Sequence, residues 1–223
     1  MNSIGQKAMV KSIEILGDLL VKTIIPNKCQ NERYLHHYYS NEIQKFFKID
    51  FENLENSQLH PEWPTSKKSK EFSSSKYKKN KRGKYIVVDN GSSGFIDFAI
   101  GNYMKPEFAI EFTSKNGFGS EDLIFDFLKL LDSANPFDFA ISFNLIYRGK
   151  GLPQSGRKEN IISALNNTLA EIIIEDRKLK VAENRQILFW IIEIDEGNKR
   201  SWVCENINHG FVEKLPDFQK YKT

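Results

Sequence analysis

The chain has 223 residues, 40% of them hydrophobic, which is ordinary globular material for one large domain or two small ones, and it contains no internal repeat. A formal net charge of +3 favours an anionic partner only weakly. Cys29 and Cys204 show no C-x-x-C spacing, which fits reduced thiols better than a disulfide framework or a zinc site, and no apolar run nears the roughly 18 residues of a membrane span, so a cytoplasmic protein without a membrane partner is expected.

In chain order, the spacing of Met9, Ile13, Leu16, Leu20 and Ile24 predicts an amphipathic helix over Ser3 to Ile25, stopped by Pro26. Its apolar face is either core packing or a homodimer surface. A second helical pattern runs from about Asn31 to Phe47, with Tyr34, Leu35, Tyr38, Ile43 and Phe46 on its apolar side. Glu32 and His36 stand one turn apart on it and face the same way. The stretch His60-Pro61-Glu62-Trp63-Pro64 reads as a proline-bracketed turn, excluded from helix and central strand.

A basic run follows. Lys67, Lys68, Lys70, Lys76, Lys78, Lys79, Lys81, Arg82 and Lys84 are interleaved with Phe72 and Tyr77 and opposed only by Glu71. A solvated loop is the plain reading. A flexible basic segment at this place in the chain is also suited to phosphate contact, with Lys76, Lys78, Lys79, Lys81 and Arg82 as candidates and an aromatic to stack on a base. Lys84 to Val88 reads as a first strand, followed by an Asp89-Asn90-Gly91 turn.

The densest chemistry lies in Gly94 to Lys115. Phe95 to Ile100 and Glu107 to Phe112 are predicted as adjacent antiparallel strands separated by a Gly-Asn turn. Alternation puts Ile96, Phe98 and Ile100 on one face of the first, and Phe108, Ile110 and Phe112 on one face of the second. Asp97 and Glu111 then emerge on the same side of a sheet whose strands lie roughly 5 Å apart. Two carboxylates so placed can share a divalent ion, and Ala99 and Ala109 beside them leave room for it. Lys115 is two pleats beyond Glu111 on the same face. Beyond it, Ser120 caps a predicted helix with Glu121 and Asp122 in its first turn and Leu123, Phe127, Leu130 and Leu131 inward. Phe137 to Tyr147 alternates as a strand, and strand, helix, strand implies a crossover with parallel pairing.

Asp97, thirteen intervening residues, Glu111 and a nearby lysine resemble the PD-(D/E)XK nuclease superfamily, and Asn31-Glu32-Arg33-Tyr34-Leu35-His36-His37 is similar to a helix start found in some of its bacterial members. The resemblance covers roughly Asn31 to Leu145. Ile96 stands where the family has proline, and Thr113 stands where the E-x-K motif has lysine, with Lys115 the nearest substitute and Lys129 a second. It implies an α/β domain over residues 31–223, preceded by an N-terminal helix over 1–30, with a mixed central β-sheet flanked by helices in the restriction-endonuclease-like arrangement. It further implies hydrolysis of DNA phosphodiester bonds, Mg²⁺ (or Mn²⁺) held by Asp97, Glu111 and Glu32, catalysis by those three with Lys115, and a restriction or defence role. Thr113 keeps open an alternative, a catalytically inactive DNA- or protein-binding module of the same fold.

Toward the end of the chain, Gly149 to Gly156 reads as a loop without P-loop spacing, and Ile161, Leu165, Leu169 and Ile172 as the inner face of a third helix. Gln186 to Ile194 is nearly all apolar and reads as a strand covered on both faces, with Ser201 to Cys204 as an edge strand beside it. The polar tail from Leu215 is expected to fray.

Overall fold

The apolar stripes of the first two helices and the alternating strands converge on one core. The structure, a computed structural model, describes residues 4–22, 31–50, 52–65, 94–116, 126–127, 129–147, 182, 184–195, 198–207 and 219–220. Helix α1 (Ile4–Lys22) buries Met9, Ile13, Leu16 and Leu20, and helix α2 (Glu32–Ile43) buries Leu35, Tyr39 and Ile43. Asn31 begins α2: its side-chain oxygen accepts from the Tyr34 amide at 3.0 Å, satisfying one of the donors a helix start leaves unpaired. The inward series is therefore 35, 39, 43 rather than the expected one with Tyr38 and Phe46. Tyr38 only packs against the edge of the core, and Phe46 is exposed because α2 ends at Ile43.

Among the described residues, seven strands form one mixed sheet in sequential order: β1 (Leu59–Pro64), β2 (Phe95–Asn102), β3 (Lys105–Asn116), β4 (Phe139–Tyr147), β5 (Gln186–Asp195), β6 (Asn198–Ile207) and β7 (Gln219–Lys220). The β3–β4 and β4–β5 pairs are parallel and the others antiparallel. The expected hairpin and parallel crossover are both present, so the α/β class with a mixed sheet and helices holds. Three expectations are corrected. The proline-rich stretch expected as a turn is strand β1 at the sheet's edge, where two prolines cost no ladder bonds on the open side, and Glu62 takes a left-handed backbone (φ 53°). The expected edge strand at Ser201 to Cys204 is longer and carries β7 on its outer side, so part of the tail expected to fray is paired.

The face carrying Phe98, Ile110, Phe112, Phe143 and Trp190 meets α1 and α2 in a single cluster. Tyr39 packs its ring against Phe98 and Phe112, with centroids 5.2 and 5.1 Å away. The opposite face, with Ala99, Ala109, Glu111, Thr113, Ser142 and Asn144, is covered in part by helical residues Asp126, Phe127, Lys129, Leu130 and Leu131; the Phe127 ring meets that of Phe189 at 5.7 Å. Strand β5 is thus buried on both faces from Ile187 to Ile192, as its apolar run requires. Gly101 sits at the register shift in the β2–β3 hairpin at φ 119°, and a Cβ there would stand 2.9 Å from the Glu107 nitrogen, so glycine is required. Among the described residues no helix is long and apolar enough to cross a membrane.

The strand expected over Lys84 to Val88, the basic run, the Ser120 cap, the loop at Gly149 to Gly156 and the helix around Ile161 to Ile172 lie outside the described residues.

Candidate metal centre

The site forms where the β2–β3 ladder ends. Pairing of these strands is regular from Phe98 opposite Ile110 to Ile100 opposite Phe108, and Asp97 lies one residue beyond the last pair. There its side chain replaces the ladder: Oδ2 accepts from the Phe112 backbone N–H at 2.6 Å. A charge-assisted bond of this kind holds the carboxylate firmly in the opening between the strands. On the α2 side, His36 Nε2 lies 3.3 Å from the same Oδ2. Its ring is seated against Phe98 and Phe112, with centroids 5.6 and 5.5 Å away. Glu32 is one helical turn earlier, on the same face. One ligand atom from each of Glu32, His36 and Asp97 can be chosen so that all lie within 4.8 Å of one another.

On the opposite side of Asp97, Glu111 is 2% exposed and would be an isolated buried charge were it not for Lys129. Lys129 Nζ is 2.6 Å from Glu111 Oε1, 3.0 Å from Asp126 Oδ1, and donates to the Phe95 carbonyl at 2.8 Å. Thr113, at the position where E-x-K has lysine, donates from Oγ1 to Asp126 Oδ2 at 3.0 Å. The short threonine leaves the volume that the Lys129 side chain fills from the helix. The ammonium that reaches Glu111 is therefore that of Lys129, the second of the two candidate lysines. Lys115 lies further along β3, opposite Ile146 of β4.

The helix bearing Lys129 is fastened by residues that carry no sequence motif. Asn135 Nδ2 donates to the Lys129 carbonyl at 2.8 Å. Arg185, 4% exposed, donates to the carbonyls of Phe137 at 2.6 Å and Asp132 at 2.9 Å, and also to those of Leu130 and Asn135. Burial pulls its pKa down to about 10, which still leaves it charged at neutral pH.

Among the described residues, acids outnumber cations at this place. Glu32, Asp97, Glu111 and Asp126 gather around one ammonium. Desolvation, with Asp97 and Asp126 adding to it, pushes the Glu32 carboxyl up to about 7. Burial raises Glu111 well above the usual carboxylate range and raises Asp126 as well, in both cases against the opposing pull of Lys129. For Lys129 burial favours the neutral form, but Asp126 and Glu111 outweigh it and the pKa is raised. His36 also titrates above its ordinary value: burial lowers it, and Asp97, Glu32 and Glu62 together raise it by more. Deprotonation of Glu32 is what binding a divalent cation would require.

No protein-family model, curated protein or solved structure matches the chain. The chemistry of the site therefore rests on its own residues. Of those singled out in the sequence, Asp97, Glu111 and Glu32 come together, Glu111 being held by Lys129 and standing outside the trio of nearest ligand atoms. Lys76, Lys78, Lys79, Lys81 and Arg82 lie outside the described residues. Asp126 was not foreseen, and its only sequence signal is its place one turn before Lys129.

Proposed function

We propose that the chain is a divalent-metal-dependent nuclease acting on DNA, built on a PD-(D/E)XK-like, restriction-endonuclease-like plan. The observation that carries the reading is Lys129 against Glu111 at 2.6 Å, across from Asp97: two strand acids and a lysine meet although Thr113 occupies the motif's lysine position. Convergence of acids and a basic group from separate elements at one opening is the pattern of a catalytic site rather than of a solvated strand face.

The donor set fits a hard or borderline divalent cation, since it combines excess carboxylate with a buried imidazole nitrogen. Such an ion, Mg²⁺ or Mn²⁺, would supply Lewis-acid chemistry to a scissile phosphate and to its water. Asp97 and Glu32, with Glu111 or His36, would hold it. Asp97 is aligned for this by the Phe112 amide. Lys129 would supply positive charge beside the phosphate, where charge grows in the transition state. The basic run from Lys67 to Lys84 would add affinity for the phosphate backbone and no sequence reading.

One observation favours a second reading. Lys129 is only 5% exposed and neutralised by two carboxylates, as a purely structural ion pair would be, which suits a nuclease-like module that binds DNA or protein without cutting. Incubating the purified protein with plasmid and linear DNA in Mg²⁺, Mn²⁺ or EDTA separates the two. The enzyme reading expects metal-dependent cleavage that Asp97→Asn abolishes and Lys129→Met lowers by about 10²- to 10³-fold, with Lys115→Ala run alongside as the alternative lysine. Absence of cleavage in every metal, or cleavage that survives Asp97→Asn, would refute it.

A further inference from the structure

The two strand acids are not the three-residue ligand set the fold assembles. Glu111 is engaged by Lys129 at 2.6 Å, whereas Glu32, His36 and Asp97 present ligand atoms within 4.8 Å of one another. Resting on the metal-dependent reading above, we propose that Glu32, His36 and Asp97 form a mixed nitrogen–oxygen site that selects a first-row transition ion, with Mn²⁺ as its probe, over Mg²⁺.

Four features support the assignment. The His36 Nε2 atom is buried and stands 3.3 Å from Asp97 Oδ2, close enough for the two to share one ion. The His36 ring packs against both Phe98 and Phe112, which restricts its orientation. Asp97 is fixed by the Phe112 amide. Glu32 is exposed at the first turn of α2; two ligands on one ion at about 2.1 Å stand at most about 4.2 Å apart, against the 4.8 Å within which these atoms lie.

Selectivity follows from the nitrogen. Mg²⁺ takes oxygen ligands, sheds its water reluctantly and gains little from imidazole, while Mn²⁺, Fe²⁺ and Co²⁺ bind imidazole in increasing order of affinity. Lys129 reinforces the division by occupying the one carboxylate that would make the set all-oxygen.

The test is calorimetric titration of the DNA-free protein with Mg²⁺, Mn²⁺ and Co²⁺, backed by the loss of the free Mn²⁺ electron paramagnetic signal on binding. Wild type should bind Mn²⁺ at least about tenfold more tightly than Mg²⁺, and Co²⁺ more tightly still. His36→Ala and the smaller change His36→Asn should reduce the Mn²⁺ to Mg²⁺ ratio to near unity, with circular dichroism confirming the fold. Glu111→Gln should leave the Mn²⁺ to Mg²⁺ ratio within about threefold of wild type, since the preference comes from the His36 nitrogen. Equal affinities in wild type, an unchanged ratio in both His36 variants, or a preference lost in Glu111→Gln would each overturn the assignment. These arms contain no DNA. A Mn²⁺-selective protein that never cuts would refute the nuclease reading and leave this one standing, and a nuclease without ion preference would do the reverse.

Discussion

Removing the ammonium of Lys129 is the sharpest physical test of the site. In Lys129→Met the hydrophobic stem is kept while Glu111, 2% exposed, and Asp126 lose the charge that compensates them at 2.6 and 3.0 Å. Breaking a buried pair from one side costs about 3–5 kcal/mol, because the partner is left charged and dehydrated. Glu111 can escape part of that cost by taking a proton, since burial already raises its pKa and loss of Lys129 raises it further. A carboxyl whose folded pKa lies above its unfolded one contributes stability that is present at low pH and lost as pH rises. The penalty of Lys129→Met should therefore be smallest near pH 5 and grow toward pH 8. Adding Glu111→Gln removes the stranded charge, so the double variant should be more stable than the sum of the singles by at least about 1 kcal/mol, beyond the ~0.5 kcal/mol scatter of independent sites. Urea denaturation at the two pH values measures all four corners of the cycle. A penalty below about 1 kcal/mol at both pH values, or additive singles, would show that Lys129 is not the buried counter-charge described.

If Thr113 and Lys129 offer two routes to one position, Thr113→Lys in a Lys129→Met background should restore part of the missing cleavage, measured as single-turnover rate on plasmid DNA. No rescue in a folded double variant would argue against the shared position. Replacing Lys76, Lys78, Lys79 and Lys81 by Gln should weaken DNA binding evenly across sequences and reduce the slope of log affinity against log salt by about 0.9 for each duplex phosphate no longer neutralised. An unchanged slope would leave the run a solvated loop. Glu32, at about 7 in the folded protein against an ordinary 4.5, contributes stability to the metal-free protein below pH 4.5 that is lost as pH rises through about 7. Thermal melts in EDTA should show Glu32→Gln flattening that decline, and divalent affinity in wild type should rise over the same window as the ion displaces the proton.

How much of this was legible in the sequence depends on the range over which each feature is decided. Strand alternation determined that Asp97 and Glu111 leave the core-facing stripe, because successive side chains must point to opposite faces whatever the partner strand. Helix periodicity likewise determined α1's buried face and the pairing of Glu32 with His36 one turn on, and the glycine at 101 announced the hairpin. These are local regularities of backbone geometry. The role of Lys129 was not decided locally. It depends on the β3–β4 crossover bringing a helix back over β3, on Arg185 and Asn135 holding that helix in place, and on Thr113 being short enough to admit a lysine from outside its own strand. The pairing of His36 with Asp97 has the same origin. Asp97 stands just past the last β2–β3 pair, within reach of α2, while Glu111 is drawn to Lys129. Which charges meet across elements is set by three-dimensional packing, and no residue spacing along the chain encodes it.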